Sequence, residues 1–291
     1  MPPIIAQQDA RRTPVHRAGE WAPNVERVSD ALPQSVRMQL EDPFAELTGP
    51  LAAARQLAFE VVESALISAS MQRIQLTAPE LAGFRYEPGQ DVMLLVAADG
   101  RRPVRRRYTI RSLDRDTLTL TLNIVRHADG PGERWVRAVR PGDTIEGIGP
   151  RGKITTSPDA DWHLFMGDES AMPAILAMTE SLPGDSDATL VIEIPGSDDE
   201  QELLAPARTR LSWLHRLGRQ AGDPALLMAE AGEIELPPGH GHAYLFGEAS
   251  VVLRLREILT ARGVLQDQIS PKAYWGLGRG NAGHGEPPKD A

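Results

Sequence analysis

The chain has 291 residues, of which 41% are hydrophobic and 24% are charged, and its formal net charge is −9. This composition is typical of a globular protein of about two domains, and no apolar run reaches the ~20 residues of a membrane span. Because the chain contains no cysteine, disulfides and cysteine-ligated iron–sulfur clusters are excluded. The seven histidines are scattered, so we predict no metal site.

The charge is distributed unevenly along the chain. Residues 57–156 contain 15 Lys and Arg against 12 Asp and Glu, whereas residues 157–291 contain 10 against 21. The basic excess is centred on the arginines between Arg101 and Arg107, and a local basic patch can attract an anion even to an acidic protein. The sequence pI near 5.3 argues against a nucleic-acid partner and favours an anionic small molecule. Since the N-terminal residues have no apolar core of signal-peptide length, we expect a cytoplasmic protein.

The first predicted region, residues 1–56, is an N-terminal extension that is partly ordered. Prolines interrupt it and leave room for one short helix from about Pro43 to Leu57. Residues 57–156 contain six short strand patterns separated by turns, which predicts a small closed antiparallel barrel. The six strands are Phe59–Ser68, Met71–Thr77, Asp91–Ala97, Arg107–Ser112, Thr117–Val125 and Thr144–Ile148.

Residues 157–280 alternate strands with helices, which predicts a parallel sheet with helices on both faces. A Gly- and Pro-rich tail, residues 281–291, is predicted to be flexible. The predicted strands are Trp162–Met166, Thr189–Ile194, Leu211–Leu214, Tyr244–Phe246 and Lys272–Trp275, and the helices are Ser170–Leu182 and Ala249–Arg262.

The most informative motif is Arg-Arg-Arg-Tyr-Thr-Ile-Arg at residues 105–111, on a predicted strand. Arg107, Thr109 and Arg111 share one face of that strand because side chains alternate. Two guanidiniums suit a pyrophosphate, and the neighbouring Tyr108 can lie flat on a planar ring. FAD contains both a pyrophosphate and a planar ring, so the motif favours a flavin site. The alternative is an exposed strand with surface arginines.

A second part of the flavin site is predicted where a strand ends at His127 and Gly130-Pro131-Gly132 begins a helix. Together with Arg107 and Arg111, this helix start would hold the pyrophosphate from two sides. Proline is favoured at the first helical position, and a helix N-terminus offers free amides to a phosphate. Glu133 follows directly, and a carboxylate beside a pyrophosphate is repulsive unless it turns to solvent. The alternatives are that His127 caps a turn and that Trp135 packs in the core.

Two turns of the second region run from a strand through a glycine into a helix. This order places a ligand site at the carboxyl end of each strand. An alternative for the first turn is that Asp168 or Ser170 merely caps the following helix. The first turn contains Gly167, Asp168, Glu169 and Ser170, and the second contains Gly247 and Glu248.

In their order and spacing over residues 57–280, these segments resemble the siderophore-interacting protein family of the ferredoxin-reductase superfamily. The motif at 105–111 resembles its flavin-binding strand, residues 167–174 its Gly-Asp-Glu-Thr-x-x-Pro-Ala signature, and residues 272–278 its Gly-Tyr-Trp ending. Ser170, Tyr244 and Phe246 stand where the family has Thr, Trp and Ala. The resemblance implies a β + α/β fold: a six-stranded FAD-binding barrel, residues 57–156, followed by a Rossmann-like NAD(P)H-binding domain, residues 157–280.

For function, the resemblance implies that NADH or NADPH reduces bound FAD, which then reduces a ferric siderophore to the ferrous form. If the donor is NADPH, Lys272 or Arg279 is expected to meet its 2′-phosphate. Two alternatives remain open. One is a flavin reductase that works with a ferredoxin or flavodoxin partner, and the other is a non-catalytic siderophore-binding protein.

Individual roles follow from the same resemblance. Thr109 is expected to hydrogen-bond the flavin near N5, Tyr108 to pack on the flavin ring, and Glu248 to lie near the path of the hydride. Independently of the resemblance, the positive charge of Arg102 and Arg106 is expected to attract an anionic ferric chelate. The residues implied to bind the cofactors are Arg107, Tyr108, Thr109, Ile110, Arg111, His127, Gly130, Pro131, Gly132, Gly167, Asp168, Glu169, Ser170, Gly247, Glu248 and Trp275.

Overall fold

Two sheets organise the chain in the computed structural model, which describes residues 55–99, 102–126, 130–206 and 208–278. The first sheet is antiparallel and has seven strands in the order β4-β3-β7-β1-β2-β6-β5. Helix α1, Pro131–Ala138, lies between β6 and β7 in the chain. The strands are β1 Arg55–Leu66, β2 Met71–Thr77, β3 Asp91–Asp99, β4 Arg102–Thr109, β5 Ser112–Asp114, β6 Thr119–Val125 and β7 Thr144–Arg151.

The start of β1 corrects one prediction, because the helix expected to reach Leu57 does not. Leu57, Phe59 and Val61 are buried, and the residues between them are exposed. This two-residue period is that of a half-buried strand, and it outweighs the helix-forming residues before it. The rest of the predicted helix lies outside the described residues.

The antiparallel sheet has seven strands rather than the predicted six, because the strand expected at 107–112 is broken after Thr109. The Ile110 amide donates to the Gln90 carbonyl near one edge of the sheet (3.0 Å). The next amide, that of Arg111, donates to the Thr121 carbonyl on β6, near the opposite edge of the sheet (2.9 Å). Two consecutive residues therefore join the two edges and curl the sheet into the predicted barrel shape.

The interior of this curled sheet is a single apolar core. Phe59, Leu94 and Leu122 are at most 1% exposed within it. Trp135 of α1 packs against the same core, so the core-packing alternative for this residue is confirmed.

The second sheet is parallel, in the order β10-β9-β8-β11-β12, and it confirms the predicted α/β region. Its central strand β8 is buried at every position, since α2 covers one face and α3 and α4 cover the other. Helix α3 was not predicted, although Ala, Leu, Met and Glu are good helix formers. The elements are β8 Trp162–Asp168, α2 Met172–Glu180, β9 Asp187–Ile194, β10 Arg208–His215, α3 Ala225–Glu233, β11 Gly241–Glu248, α4 Ala249–Ala261 and β12 Ile269–Trp275.

The strand order reverses between β8 and β11, so a crevice forms at the carboxyl ends of these strands. The two sheets contact each other on this side, where Met71 of β2 belongs to the same apolar core as α2. The loop after β9 also contributes, because Asp199 accepts hydrogen bonds from Ser68 and Ser70. None of the helices in the described ranges is long and apolar enough to cross a bilayer.

Candidate functional site

A narrow cradle lies where β4 meets the start of α1. A methyl group on Gly132 would lie 3.0 Å from Tyr108 Oη and 3.2 Å from Arg106 Cγ, so a larger side chain here would crowd both residues. The helix begins at Pro131 after Gly130, and no side chain caps it. The uncapped start of α1 therefore lies beside the Arg106 side chain and the Tyr108 phenol, and this set of donors suits a phosphate.

Tyr108 is anchored on the barrel side of this cradle. Its ring stacks on Trp135 with centroids 6.0 Å apart and an interplanar angle of 27°. Burial raises the pKa of its phenol well above the usual range, with Arg106 opposing the rise and Glu133 adding to it. Tyr108 is therefore a neutral hydroxyl donor at the cradle, and its packing on a flavin ring stays a prediction.

The Glu133 carboxylate, expected to repel a pyrophosphate, is neutralised by two arginines. Its Oε1 pairs with Arg137 one turn along α1 and lies 3.7 Å from Arg126 Nε. The side chain is only 7% exposed, so it does not turn to solvent. The two guanidiniums offset the repulsion that the sequence predicted at the start of α1.

Arg107 lies on the other face of β4, away from the cradle. Its Nη2 is 2.6 Å from Asp91 Oδ2, and its Nε donates to both oxygens of the same carboxylate. Lys272 of β12 reaches Asp91 as well, at 3.2 Å. Alternation therefore places Arg106, and not Arg107, on the face of β4 that meets α1, and the binding of a pyrophosphate by Arg107 stays a prediction.

Thr109 shares the face of Arg107, as predicted, whereas Arg111 lies beyond the end of β4, and both Thr109 and Arg111 contact the parallel-sheet region. Thr109 Oγ1 lies 3.4 Å from Tyr274 Oη on β12. The Arg111 guanidinium makes a bidentate pair with Glu180 at the end of α2, at 2.6 and 2.7 Å. This face of the motif joins the two sheets, and its binding of phosphate stays a prediction.

Three other barrel residues were predicted to bind a ligand, namely Ile110, Arg102 and His127. Ile110 is fully buried in the barrel core, and its amide is bonded to Gln90, so only its backbone carbonyl could face a cofactor. Arg102 is the first residue of β4. His127 lies outside the described residues.

In the parallel sheet, three predicted segments meet at one carboxylate. Asp168 Oδ1 accepts from the amide of Ser170 (2.9 Å) and from its hydroxyl. Asp168 Oδ2 accepts from the Glu248 amide (3.0 Å) and from Trp275 Nε1 (2.8 Å). The ends of β8, β11 and β12 are therefore held together at Asp168, which is 4% exposed.

The glycine of the second turn makes this approach possible. Gly247 has φ +128°, and a Cβ there would lie 2.5 Å from Asp168 Oδ2. The carboxylate is also poorly solvated: burial, and then Glu169, raises its pKa to about 6, with Ser170 and Trp275 opposing the rise. Gly167, the other predicted glycine, precedes Asp168 within β8.

The capping alternative for the first turn is wrong. The N-cap of α2 is Ala171, and no side chain caps that helix. Asp168 instead folds the loop back on Ser170.

Glu248, predicted to be catalytic, is instead the N-cap of α4. Its Oε2 accepts from the amide and hydroxyl of Ser250 and from the Val251 amide, and its Oε1 accepts from the Leu277 amide. Burial would raise its pKa, but these hydrogen bonds outweigh burial and lower it. Four donors occupy the carboxylate, and a part in hydride transfer stays a prediction.

Glu169 belongs to a buried ion cluster that sequence reasoning missed. The Arg216 fork holds both oxygens of Glu169, and its Nη1 lies 3.4 Å from Glu193 Oε1. Arg216 is 6% exposed and Glu193 1% exposed. The available signal was a charged residue at the carboxyl end of each of two predicted strands. In the described ranges, no three His, Asp or Glu side chains converge as metal ligands would.

Phe246 is buried directly before the second glycine turn, and Lys272 does not lie where it was expected to meet a 2′-phosphate. Phe246 is 2% exposed and stacks on Tyr274 with centroids 5.7 Å apart and an interplanar angle of 9°. Lys272 is 5% exposed and paired with Asp91, so it does not offer its ammonium to a 2′-phosphate. Arg279, the other candidate, lies outside the described residues.

Comparisons with known proteins identify the family of this chain. One family model, the siderophore-interacting FAD-binding domain, matches residues 95–154, and a second, the siderophore-interacting protein, matches residues 160–278. An uncharacterized protein of Mycobacterium tuberculosis is 37% identical over 62% of this chain and 67% of its own length. The ferric vibriobactin reductase of Vibrio cholerae is 28% identical over 78% and 92%.

Two further relatives are similar over most of their own length. The NADPH-dependent ferric-chelate reductase of Escherichia coli is 25% identical over 84% of this chain and 96% of its own. The solved structure of a siderophore utilization protein from T. fusca is 30% identical, has a TM-score of 0.73 and covers 80% and 97%. With its two matching models and these relatives, the chain belongs to the siderophore-interacting protein family.

Proposed function

We propose that this chain is an FAD-dependent reductase that takes electrons from NADH or NADPH and reduces ferric siderophores. The observation that carries the proposal is the junction at Thr109, whose hydroxyl lies 3.4 Å from Tyr274. It brings the strand of the flavin motif against the last strand of the nucleotide sheet. Two relatives that are named as ferric reductases support the same activity.

The residues of the barrel fit FAD. Arg106 and the uncapped start of α1 would hold its pyrophosphate, and the Gly132 cradle would let the phosphate approach the backbone. Thr109 would face the flavin ring at the junction with β12. Bound FAD would supply the redox chemistry, which is the conversion of a two-electron hydride donor into a source of single electrons for iron(III).

The chain's own contribution is position and charge. Asp168 and the groups that donate to it, which we call the hub, hold together the loops that would carry the nicotinamide nucleotide. Phe246 stacks on Tyr274 and keeps that ring beside Thr109. Because Arg106 is assigned to the pyrophosphate, we reassign the attraction of an anionic chelate to Arg102 alone of the two arginines predicted for it. The proposal places the protein in the cytoplasm, the compartment that supplies reduced nicotinamide nucleotides.

The visible absorption spectrum of the purified protein tests this function. We expect flavin bands that bleach when NADH or NADPH is added without oxygen and that return when a ferric siderophore is added. A flavin that neither nucleotide bleaches, but that reduced ferredoxin does, would replace the proposal with a ferredoxin-linked reductase. A protein that binds no added flavin would instead make it a siderophore-binding protein without redox activity.

A further inference from the structure

The carboxyl ends of β9 and β10 are strongly acidic. The described loops that follow these strands, 195–206 and 216–224, contain five acidic residues and two arginines. Asp198 and Glu200 are exposed, and Glu200 Oε1 is 2.8 Å from His215 Nε2. The acidic residues are Asp198, Asp199, Glu200, Glu202 and Asp223, and the arginines are Arg216 and Arg219.

Both of these arginines already face carboxylates. Arg216 is 6% exposed, with both arms of its fork on Glu169 and a third contact to Glu193. Arg219 lies 3.6 Å from Asp223. The Arg216 fork is filled by the two oxygens of Glu169, and the two loops hold five acidic residues against these two arginines. Negative charge is therefore in excess at this end of the sheet.

This end of the sheet is where an adenosine ribose would lie. In a dinucleotide-binding sheet the pyrophosphate sits at the glycine turn after the first strand, here β8, and the ribose sits over the end of the neighbouring strand, here β9. A carboxylate there accepts a hydrogen bond from a free 2′-hydroxyl, whereas a 2′-phosphate requires a nearby arginine. A phosphate dianion would meet the excess carboxylates, and like charges at close range are repulsive.

We infer that this chain selects a nicotinamide nucleotide with a free 2′-hydroxyl, NADH rather than NADPH, through Glu200 and the carboxylates around Arg216. The inference rests on the proposed function and specifies its electron donor. It also predicts a difference within the family, because the relative from Escherichia coli is named as NADPH-dependent.

Binding without turnover tests the inference directly. Isothermal titration of the purified flavoprotein with NAD⁺ and with NADP⁺ should give a Kd for NAD⁺ that is lower by about tenfold or more. A Kd for NADP⁺ that is equal or lower would overturn the inference. The anaerobic spectrum separates the two proposals: if NADPH bleaches the flavin faster than NADH, only the selection is wrong, whereas a flavin that neither nucleotide bleaches removes both.

A charge reversal tests the assigned residue. Glu200→Lys should lower the Kd for NADP⁺ and shrink the preference for NAD⁺ by about tenfold, because a cation replaces the carboxylate. The matched control is Glu235→Lys, an exposed acid that lies with Trp162 and Asp187 at the amino ends of β8 and β9. A preference that both variants change equally would show a general effect of net charge and would overturn the assignment to Glu200.

Discussion

The two halves of the candidate site, the cradle in the barrel and the hub at Asp168, differ in how far apart in the chain their residues lie. In the barrel, Arg106, Arg107 and Tyr108 are consecutive, yet they lie on opposite faces of β4 and serve different neighbours. Around Asp168, groups that are 80 and 107 residues away in the chain converge on one carboxylate. A short motif therefore divides its residues between two environments, whereas distant motifs are gathered into one.

The difference has a simple physical origin. Strand alternation sends neighbouring side chains to opposite faces, so the role of each barrel residue depends on its parity in β4. The parallel sheet brings the carboxyl ends of its strands to one edge, so residues that follow different strands meet. The hub should therefore be sensitive to the loss of one acceptor, and the cradle to added volume.

The largest expected effect is a loss of stability when the hub at Asp168 is broken. Asp168→Ala leaves Trp275 Nε1 and the Glu248 amide without their acceptor, and buried donors without partners are costly. We expect the free energy of unfolding in urea to fall by about 3 kcal/mol. Asp185→Ala, which removes an exposed carboxylate, should change it by less than about 0.5 kcal/mol. Equal effects of the two changes would mean that Asp168 does not hold the three strand ends together.

The next largest effect is a loss of FAD affinity when a side chain is added in the cradle at Gly132. Gly132→Val pushes against Tyr108 and Arg106 and covers the start of α1, so the Kd for FAD should rise about 100-fold. Quenching of flavin fluorescence on binding to the apoprotein measures it. At Gly184, where an added Cβ would meet nothing within 4 Å, the same change should leave the Kd unaltered. If Gly132→Val binds FAD like the wild type, the pyrophosphate lies elsewhere.

A third prediction concerns the pH dependence of stability, to which Glu193 in the parallel-sheet half contributes. Burial raises the pKa of Glu193 from 4.5 to about 7, Arg216 opposes the rise, and Asp168 and Glu169 add to it. A carboxyl with a raised folded-state pKa stabilises the fold below its unfolded pKa and loses that contribution as pH rises through 7. Glu193→Gln, which stays neutral, should therefore gain about 2 kcal/mol relative to the wild type between pH 5 and pH 8.

The control for this pH effect is Glu257→Gln, which changes an exposed glutamate of α4. Urea titrations of the three proteins at pH 5 and pH 8 give the comparison. A Glu193→Gln difference that does not grow with pH would show that Glu193 is ionised in the folded protein throughout this range.

The smallest effect concerns the link between the sheets. Arg111 and Glu180 are 18% and 21% exposed and bidentate, so a double-mutant cycle to alanine and glutamine should give a coupling of about 1 kcal/mol. The pair Arg208–Asp187 is 65% and 36% exposed at 3.6 Å, and its coupling should be near zero. Similar couplings for both pairs would remove Arg111 as a residue that fixes the two sheets against each other.

Much of the architecture was predictable because it follows from local patterns. The alternation of Thr117–Thr121 and the turn glycines between the strands indicated a barrel, and strand–helix alternation indicated the parallel sheet. The break at Ile110 was not predictable, since its amide and that of Arg111 bond to Gln90 and Thr121 near opposite edges. Those partners are identified only when the sheet curls.

The candidate site divides in the same way. The sequence by itself determined that Gly132 lies at the start of a helix and that Asp168 and Gly247 lie at the carboxyl ends of strands, because turn geometry and strand ends are encoded within a few residues. Only the tertiary structure decided that Arg106 rather than Arg107 faces α1, that Glu248 caps a helix, and that Arg216 is held by Glu169 and Glu193. Each of these outcomes depends on a partner, and ion pairs and hydrogen bonds between distant segments form only after the chain has folded.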